Sequence, residues 1–281
     1  MKQMLKFLLI FIPLVFSISC CFTNKYNNAK PLINKEKNIK KIIRPSVLHI
    51  SRTTEIQVLN ESETATISSI LSLSVGTGSI INHNKNSTYI LTAGHICSPL
   101  SLIEVNVRVS PEYLTNAKRS KSLYTVMNTY GDTYTAVILY FNTNFDTCIL
   151  LTKKINIQEI KILDQEPEYG IRVFSISYAK GIWDKLFSPI YEGFFNGFLG
   201  GPNEKMASSF SLPTVGGCSG APILDKNGFM VGMVHSYMNE FYHLTLGATV
   251  FQIKYSLDEA IIVYNKNQKE LDTIISKINF P

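Results

Sequence analysis

Thr214-Val215-Gly216-Gly217-Cys218-Ser219-Gly220-Ala221-Pro222 is the stretch on which the reading of the chain depends. Glycines, a small polar pair and a proline in such close order make a tight turn, not the interior of a helix or strand. A turn of this kind leaves a hydroxyl exposed while backbone N–H groups face outward beside it. Acyl transfer needs that pairing: an oxygen nucleophile, and donors where the oxyanion develops. The nucleophile is then Ser219, and the oxyanion donors are the N–H groups of Gly217 and Ser219. Glycine at 217 lets the backbone turn its N–H toward a substrate with no Cβ in the way. Alone, the same residues also describe a glycine-rich turn between two strands, so the rest of the chain has to decide.

Working outward, the chain reads as a succession of short strands. Tyr (14) and Phe (16) beside many Ile, Val and Thr favour extended backbone over helix. Strands are expected over 45–50 with 55–59, 64–81, 88–92, 103–109, 123–129, 134–141, 147–151, 171–177, 190–198, 208–212, 221–224, 230–235 and 245–252. Only 256–278 has helical periodicity, with Ser256 as its cap and apolar side chains at Leu257, Ala260, Ile261, Tyr264, Leu271, Ile274, Ile275 and Ile278. Many strands closed by one helix indicate barrels or a sandwich.

A serine hydroxyl needs a base, and imidazole is the usual one near neutral pH. Of the five histidines, His95 follows an apolar strand within Leu91-Thr92-Ala93-Gly94-His95, where small residues let its ring project. The imidazole in turn needs a carboxylate to fix its tautomer and stabilise its cation. Asp146 stands at the mouth of the apolar run Cys148-Ile149-Leu150-Leu151. Asp132, after Gly131 and with no continuous apolar run beyond it, reads as a turn residue.

Taken together, these segments resemble the trypsin-like (chymotrypsin-fold) serine peptidases. Gly217 to Pro222 fits that family's glycine, any residue, serine, glycine, small residue, proline at every fixed position. Thr92-Ala93-Gly94-His95 is similar to its histidine motif, Gly76-Thr77-Gly78-Ser79-Ile80-Ile81 to the strand before it, and Asp146 to its aspartate leading into an aliphatic strand. The departure is Cys218, where the family commonly has aspartate or asparagine. Cys218 as nucleophile would put serine where glycine belongs and shift the proline by one place, so Ser219 is the better frame. The resemblance spans residue 43 to the final helix. It implies an all-β fold of two six-stranded antiparallel β-barrels with a C-terminal α-helix, and the triad His95, Asp146 and Ser219 between the barrels. It implies a serine endopeptidase acting on a polypeptide substrate through an acyl-enzyme, without metal or cofactor. The alternative is a catalytically inactive binding or regulatory module on the same fold, if Cys218 lets the oxyanion hole collapse.

The same resemblance implies a substrate pocket walled by Pro213 and Thr214, by Val234, His235, Ser236 and Tyr237, and by Gly247 and Thr249. No carboxylate stands there, which argues against a preference for Arg or Lys. Thr214 and His235 resemble the residues with which bacterial glutamyl endopeptidases receive acidic side chains, but His235 falls one place late, and on a strand one place reverses the face. An apolar or small-residue pocket is the other reading. In animal relatives a newly cut N-terminal amine pairs with the aspartate before the serine. Cys218 removes that partner, so activity without such processing is expected.

Residues 1–19 carry Lys2 and Lys6, then an apolar run from Phe7 to Phe16 and small residues before Cys20, the pattern of an export signal. Cys20 resembles a lipoprotein acceptor, although Ser17 stands where leucine is usual. Export is expected, followed by lipid anchoring at Cys20 or by cleavage and release. Residues 20–42, rich in Asn and Lys, read as a polar tether. They precede a first barrel over 43–165, a second over 166–255 and a closing helix over 256–281. The formal charge of +6 lies largely in the first forty or so residues and never interleaves with aromatics, so a nucleic-acid surface is not expected. The cysteines at 20, 21, 97, 148 and 218 show no CxxC spacing for zinc or redox chemistry. The three beyond the leader are too few and too odd in number for a disulfide framework.

Overall fold

The computed structural model describes residues 43–59, 66–98, 117–185, 187–200, 206–238 and 241–277. The leader, the tether and the strand expected over 103–109 lie outside the described residues.

Runs rich in β-branched and aromatic residues form twelve strands among the described residues, and each set of six closes on itself. The first barrel comprises β1 (Val47–Leu59), β2 (Thr66–His83), β3 (Ser87–Ala93), β4 (Ala117–Met127), β5 (Thr133–Asn142) and β6 (Thr147–Lys153), in the order β1-β2-β3-β6-β5-β4. The second comprises β7 (Arg172–Ile176), β8 (Ile190–Leu199), β9 (Ala207–Phe210), β10 (Pro222–Asp225), β11 (Met230–Met238) and β12 (Phe241–Ala248), in the order β10-β11-β12-β9-β8-β7. All of these strand pairs are antiparallel. Closure leaves neither barrel an open edge. This is the expected all-β fold of two six-stranded antiparallel β-barrels with a C-terminal helix.

The first core is aliphatic, with Leu48, Ile50, Ile80, Ile90, Leu91, Ile149 and Leu150 fully buried. The second sets aromatic rings among aliphatic side chains, with the Phe195 ring 5.4 Å from that of Phe210 and 5.3 Å from that of Phe198. Between the barrels the chain runs over 154–171. Ile160 donates its N–H to Ile80 O of β2, and Leu163 donates to Met230 O at the start of β11.

The closing helix differs from expectation. A short α1 (Gly94–Cys97) follows β3, and the long α2 spans Val250–Lys277, so it begins six residues before Ser256. Ser256 is not its cap. Its hydroxyl lies inside the helix and bonds Gln252 O and the Thr147 hydroxyl. The cap is Thr249, whose Oγ1 accepts from Gln252 N–H while Gln252 Oε1 accepts from Thr249 N–H. That reciprocal pair is a capping box. Glu166 satisfies the next two free N–H groups, those of Val250 and Phe251. The strand expected over 245–252 therefore ends at Ala248.

Candidate active site

Pairing between β3 and β6 brings base and acid together. Ala93, the last residue of β3, lies opposite Thr147, the first of β6. The residues just beyond those ends, Gly94 and His95 on one side and Asp146 on the other, must then meet. Gly94 N–H donates to Asp146 O at 2.8 Å, His95 N–H to Asp146 Oδ1 at 2.7 Å, and His95 Nδ1 lies 2.8 Å from Asp146 Oδ2. With the ionised carboxylate able only to accept, Nδ1 carries the proton and Nε2 keeps a free lone pair. A Cβ on Gly94 would come within 2.9 Å of the Asp146 carboxylate and backbone, so the small residue before the histidine permits this grip. Asp146 has φ 49°, a left-handed conformation that aspartate tolerates better than most residues.

Burial pushes the Asp146 carboxyl toward a higher pKa. The hydrogen bond, charge and N–H of His95 outweigh it, with a smaller contribution from His235, and hold the carboxyl below its ordinary value. Asp132, the rival acid, accepts from the Asn128 amide and helps close a turn at 128–132.

The Ser219 loop is fixed through its carbonyls. Val215 O accepts from Cys218 N–H, Gly216 O from Lys180 N–H, Cys218 O from Ala221 N–H and Ser219 O from Thr77 N–H. Gly217 O accepts from the Thr77 hydroxyl at 2.8 Å. Among the described residues, the N–H groups of Gly217 and Ser219 find no acceptor, and a free pair of this kind is what an oxyanion needs. Gly217 has φ 92°, and a Cβ there would lie 2.6 Å from Tyr178 O, so glycine is obligatory.

The loop also presses on the strand that leads to His95. A Cβ on Gly220 would lie 2.0 Å from Thr77 O, 2.4 Å from Thr92 Oγ1 and 3.0 Å from Ala93 N. Ser219 thus sits beside the end of β3. No hydrogen bond joins its hydroxyl to the His95 ring among the described residues, a contact that often tightens only when substrate binds.

Cys218 is buried, with Sγ 3.2 Å from the Ser177 hydroxyl. Cys97 and Cys148 form a disulfide, a pairing that three leftover cysteines did not reveal. It joins the residue two places after His95 to the residue two places after Asp146. Thr77 was also missed: besides holding Gly217 O, its hydroxyl accepts from Tyr178 N–H at 3.0 Å. A threonine between two glycines on the strand before the histidine was the available signal.

The residues expected to line a pocket divide. Pro213 and Ser236 are half-buried and Tyr237 is exposed. Val234 belongs to the second core, and Gly247 packs where a Cβ would lie 2.6 Å from Met233 O. Thr249 is fully buried as the helix cap. Thr214 is buried, its hydroxyl 3.0 Å from that of Thr245. His235 is half-buried, with Nδ1 2.8 Å from the Ser236 hydroxyl, and burial is the main influence that lowers its pKa.

The family model for the trypsin-like peptidase domain matches residues 76–233, more than half of the chain and all three candidate catalytic residues. The chain belongs to this family of serine peptidases. Among solved structures, the active form of the Rv3671c protease from M. tuberculosis is similar at a TM-score of 0.55 and 14% identity, over 79% of this chain and 84% of that one. A serine endoprotease from Yersinia pestis is similar at a TM-score of 0.55 and 15% identity, over 80% of this chain and 66% of its own. At such identity these likenesses speak for the fold. No curated protein matches the chain in sequence.

Proposed function

We propose that the protein is an exported endopeptidase using Ser219, His95 and Asp146. The observation that carries this reading is a histidine held by Asp146 at both its backbone N–H and its ring, together with two N–H groups around Ser219 that have no acceptor among the described residues. In the proposed cycle, His95 Nε2 takes the Ser219 proton as Oγ attacks the scissile carbonyl. Asp146 holds the tautomer and stabilises the imidazolium, and the N–H groups of Gly217 and Ser219 receive the oxyanion. His95 then protonates the leaving amine, and water repeats the sequence on the acyl-enzyme.

Activity-based labelling with a fluorophosphonate tests the reading. The parent and Cys218→Ala should label and Ser219→Ala should not; an unlabelled, folded parent would favour the inactive binding module. With Cys218 anchored on Ser177, trimming the leader-free chain to residue 43 should leave the labelling rate unchanged, and a large gain on trimming would restore processing as the activator.

Thr214 is buried with its hydroxyl against that of Thr245, so the pocket is proposed to take a small or apolar side chain. Cleavage of a peptide library enriched in Glu or Asp before the cut would overturn that. The leader and the buried disulfide both support an oxidising destination outside the cytoplasm. Anchoring through Cys20 predicts that Cys20→Ala moves the protein from the membrane fraction to the soluble one.

A further inference from the structure

Strand β1 is paired without a break in register from Val47 to Arg52, on β2 at one side and, from His49, on β4 at the other. Alternation therefore puts Arg52 on the face of Leu48 and Ile50, two fully buried members of the first core. Arg52 is itself only 4% exposed, so a guanidinium stands where the pattern calls for a third aliphatic side chain. It cannot shed its charge by deprotonation, and none of the ion pairs among the described residues includes it. A buried cation without a counter-charge is strongly unfavourable.

Its partners among the described residues are neutral. Nη1 donates to Ser98 O at the end of α1. Tyr124, opposite Arg52 on β4, donates its hydroxyl to Cys97 O at 3.1 Å; burial raises its pKa, and the charge and hydrogen bond of Arg52 work against that rise. Arg52 Nε is buried and has no acceptor among the described residues. Opposite Arg52 on β2 stands Ser74, whose Oγ is likewise buried and without a partner. Directly paired residues share a face of the sheet, with Cβ atoms about 5 Å apart. Two unanswered donors and one uncompensated positive charge thus stand side by side on the inner face of the first barrel.

We propose that Arg52 and Ser74 bind a small monovalent inorganic anion, of the size and charge of a halide, and that the bound ion steadies the end of α1 through Arg52. One negative charge balances the one positive charge present. Two donors suit a spherical ion, whereas phosphate or sulfate would bring oxygens that these groups cannot serve and a charge they cannot balance. A water molecule could receive the two hydrogen bonds, but it would leave the guanidinium charge uncompensated. With the ion holding Nε, Nη1 keeps its aim on Ser98 O, three places after His95 and next to the disulfide-bonded Cys97. The effect on catalysis rests on the serine-peptidase reading; binding of the ion does not.

The probe is chloride, exchanged for the bulkier gluconate at constant ionic strength. Thermal melts use the full chain carrying Ser219→Ala, so they need no activity. The melting temperature should rise with chloride, linearly with its logarithm once the concentration exceeds Kd. Adding Ser74→Ala should move the onset of that rise to about tenfold higher chloride, and adding Arg52→Met should abolish it. With Ser219 intact, fluorophosphonate labelling should be faster in chloride by about fivefold or more. Identical melts in the two salts overturn the proposal. So does a chloride dependence that survives unchanged in both Ser74→Ala and Arg52→Met, which would place the ion elsewhere. If Arg52→Met fails to fold, the onset in Ser74→Ala decides alone. A labelling rate indifferent to chloride beside a chloride-dependent melt overturns the link to α1. Conversely, a parent unreactive toward fluorophosphonate whose melts show the expected shifts removes the peptidase reading and leaves the anion site standing.

Discussion

At the scale of single residues, Thr77 has the sharpest expected consequence. Its hydroxyl donates to Gly217 O and accepts from Tyr178 N–H, both buried. Thr77→Val keeps the shape and strands both partners, at a stability cost of about 1–3 kcal/mol. Because Gly217 O belongs to the peptide bordering the oxyanion donors, kcat should drop at least about tenfold with little change in KM; steady-state kinetics beside a thermal melt checks both. Asp146 supplies the pH dependence. Its folded pKa lies below the unfolded one, so its contribution to stability is full above the ordinary aspartate value and is lost as pH falls through the lower, folded value. The melting temperature of Asp146→Asn should therefore depend less on pH across that acid range than that of the parent, and its kcat should fall by about four orders of magnitude through the wrong imidazole tautomer. The candidate triad could be read because each member has its own short motif, His95 and Ser219 among small residues and Asp146 before an apolar run. The role of Thr77 could not, because its partners lie 140 and 101 positions away. The bulge at His235 was not legible either, since one extra residue in a strand leaves no trace in composition.

At the scale of elements, the disulfide ties α1 to β6 just behind the His95–Asp146 pair. Closing a loop of 51 positions is worth about 4 kcal/mol in the chain-entropy account. Cys97→Ser with Cys148→Ser should lower the unfolding free energy by roughly that amount, and should slow acylation because α1 is then held only by its hydrogen bonds. Denaturant melts and fluorophosphonate labelling rates, with and without a dithiol reductant, measure both; equal labelling rates would make the bridge purely a stabiliser. Strand positions were readable from β-branched and aromatic runs between turn signals, yet the start of α2 was misread. Val250, Phe251, Ile253 and Tyr255 have strand-like side chains, and their local preference favoured extending β12. The competing signal, Thr249 followed three places later by Gln252, is a capping pattern, and with Glu166 covering the next N–H groups it decides the boundary.

At the scale of the molecule, the site exists because two closed barrels hold one another in register, and α2 is the strap. Leaving the second barrel after β12, it returns across the first, with the Tyr264 ring 5.9 Å from that of Tyr89 and the Ser256 hydroxyl 2.7 Å from that of Thr147. Thr147 follows Asp146 directly, so the helix reaches the carboxylate that holds His95 through a single residue. Ala260, fully buried on the face that carries Ile253 and Tyr264, belongs to the first-barrel cluster. Ala260→Asp forces a carboxylate into that seam with no partner, at a cost of at least several kcal/mol unless the helix lifts away. Lifting α2 would release both its grip on Thr147 and its cover over the first barrel. The expected outcome is a lowered first unfolding transition in calorimetry, with labelling of Ser219 lost at temperatures below the melting of the second barrel. A variant that melts lower in one transition while labelling normally until it melts would show that α2 stabilises the fold without holding the site.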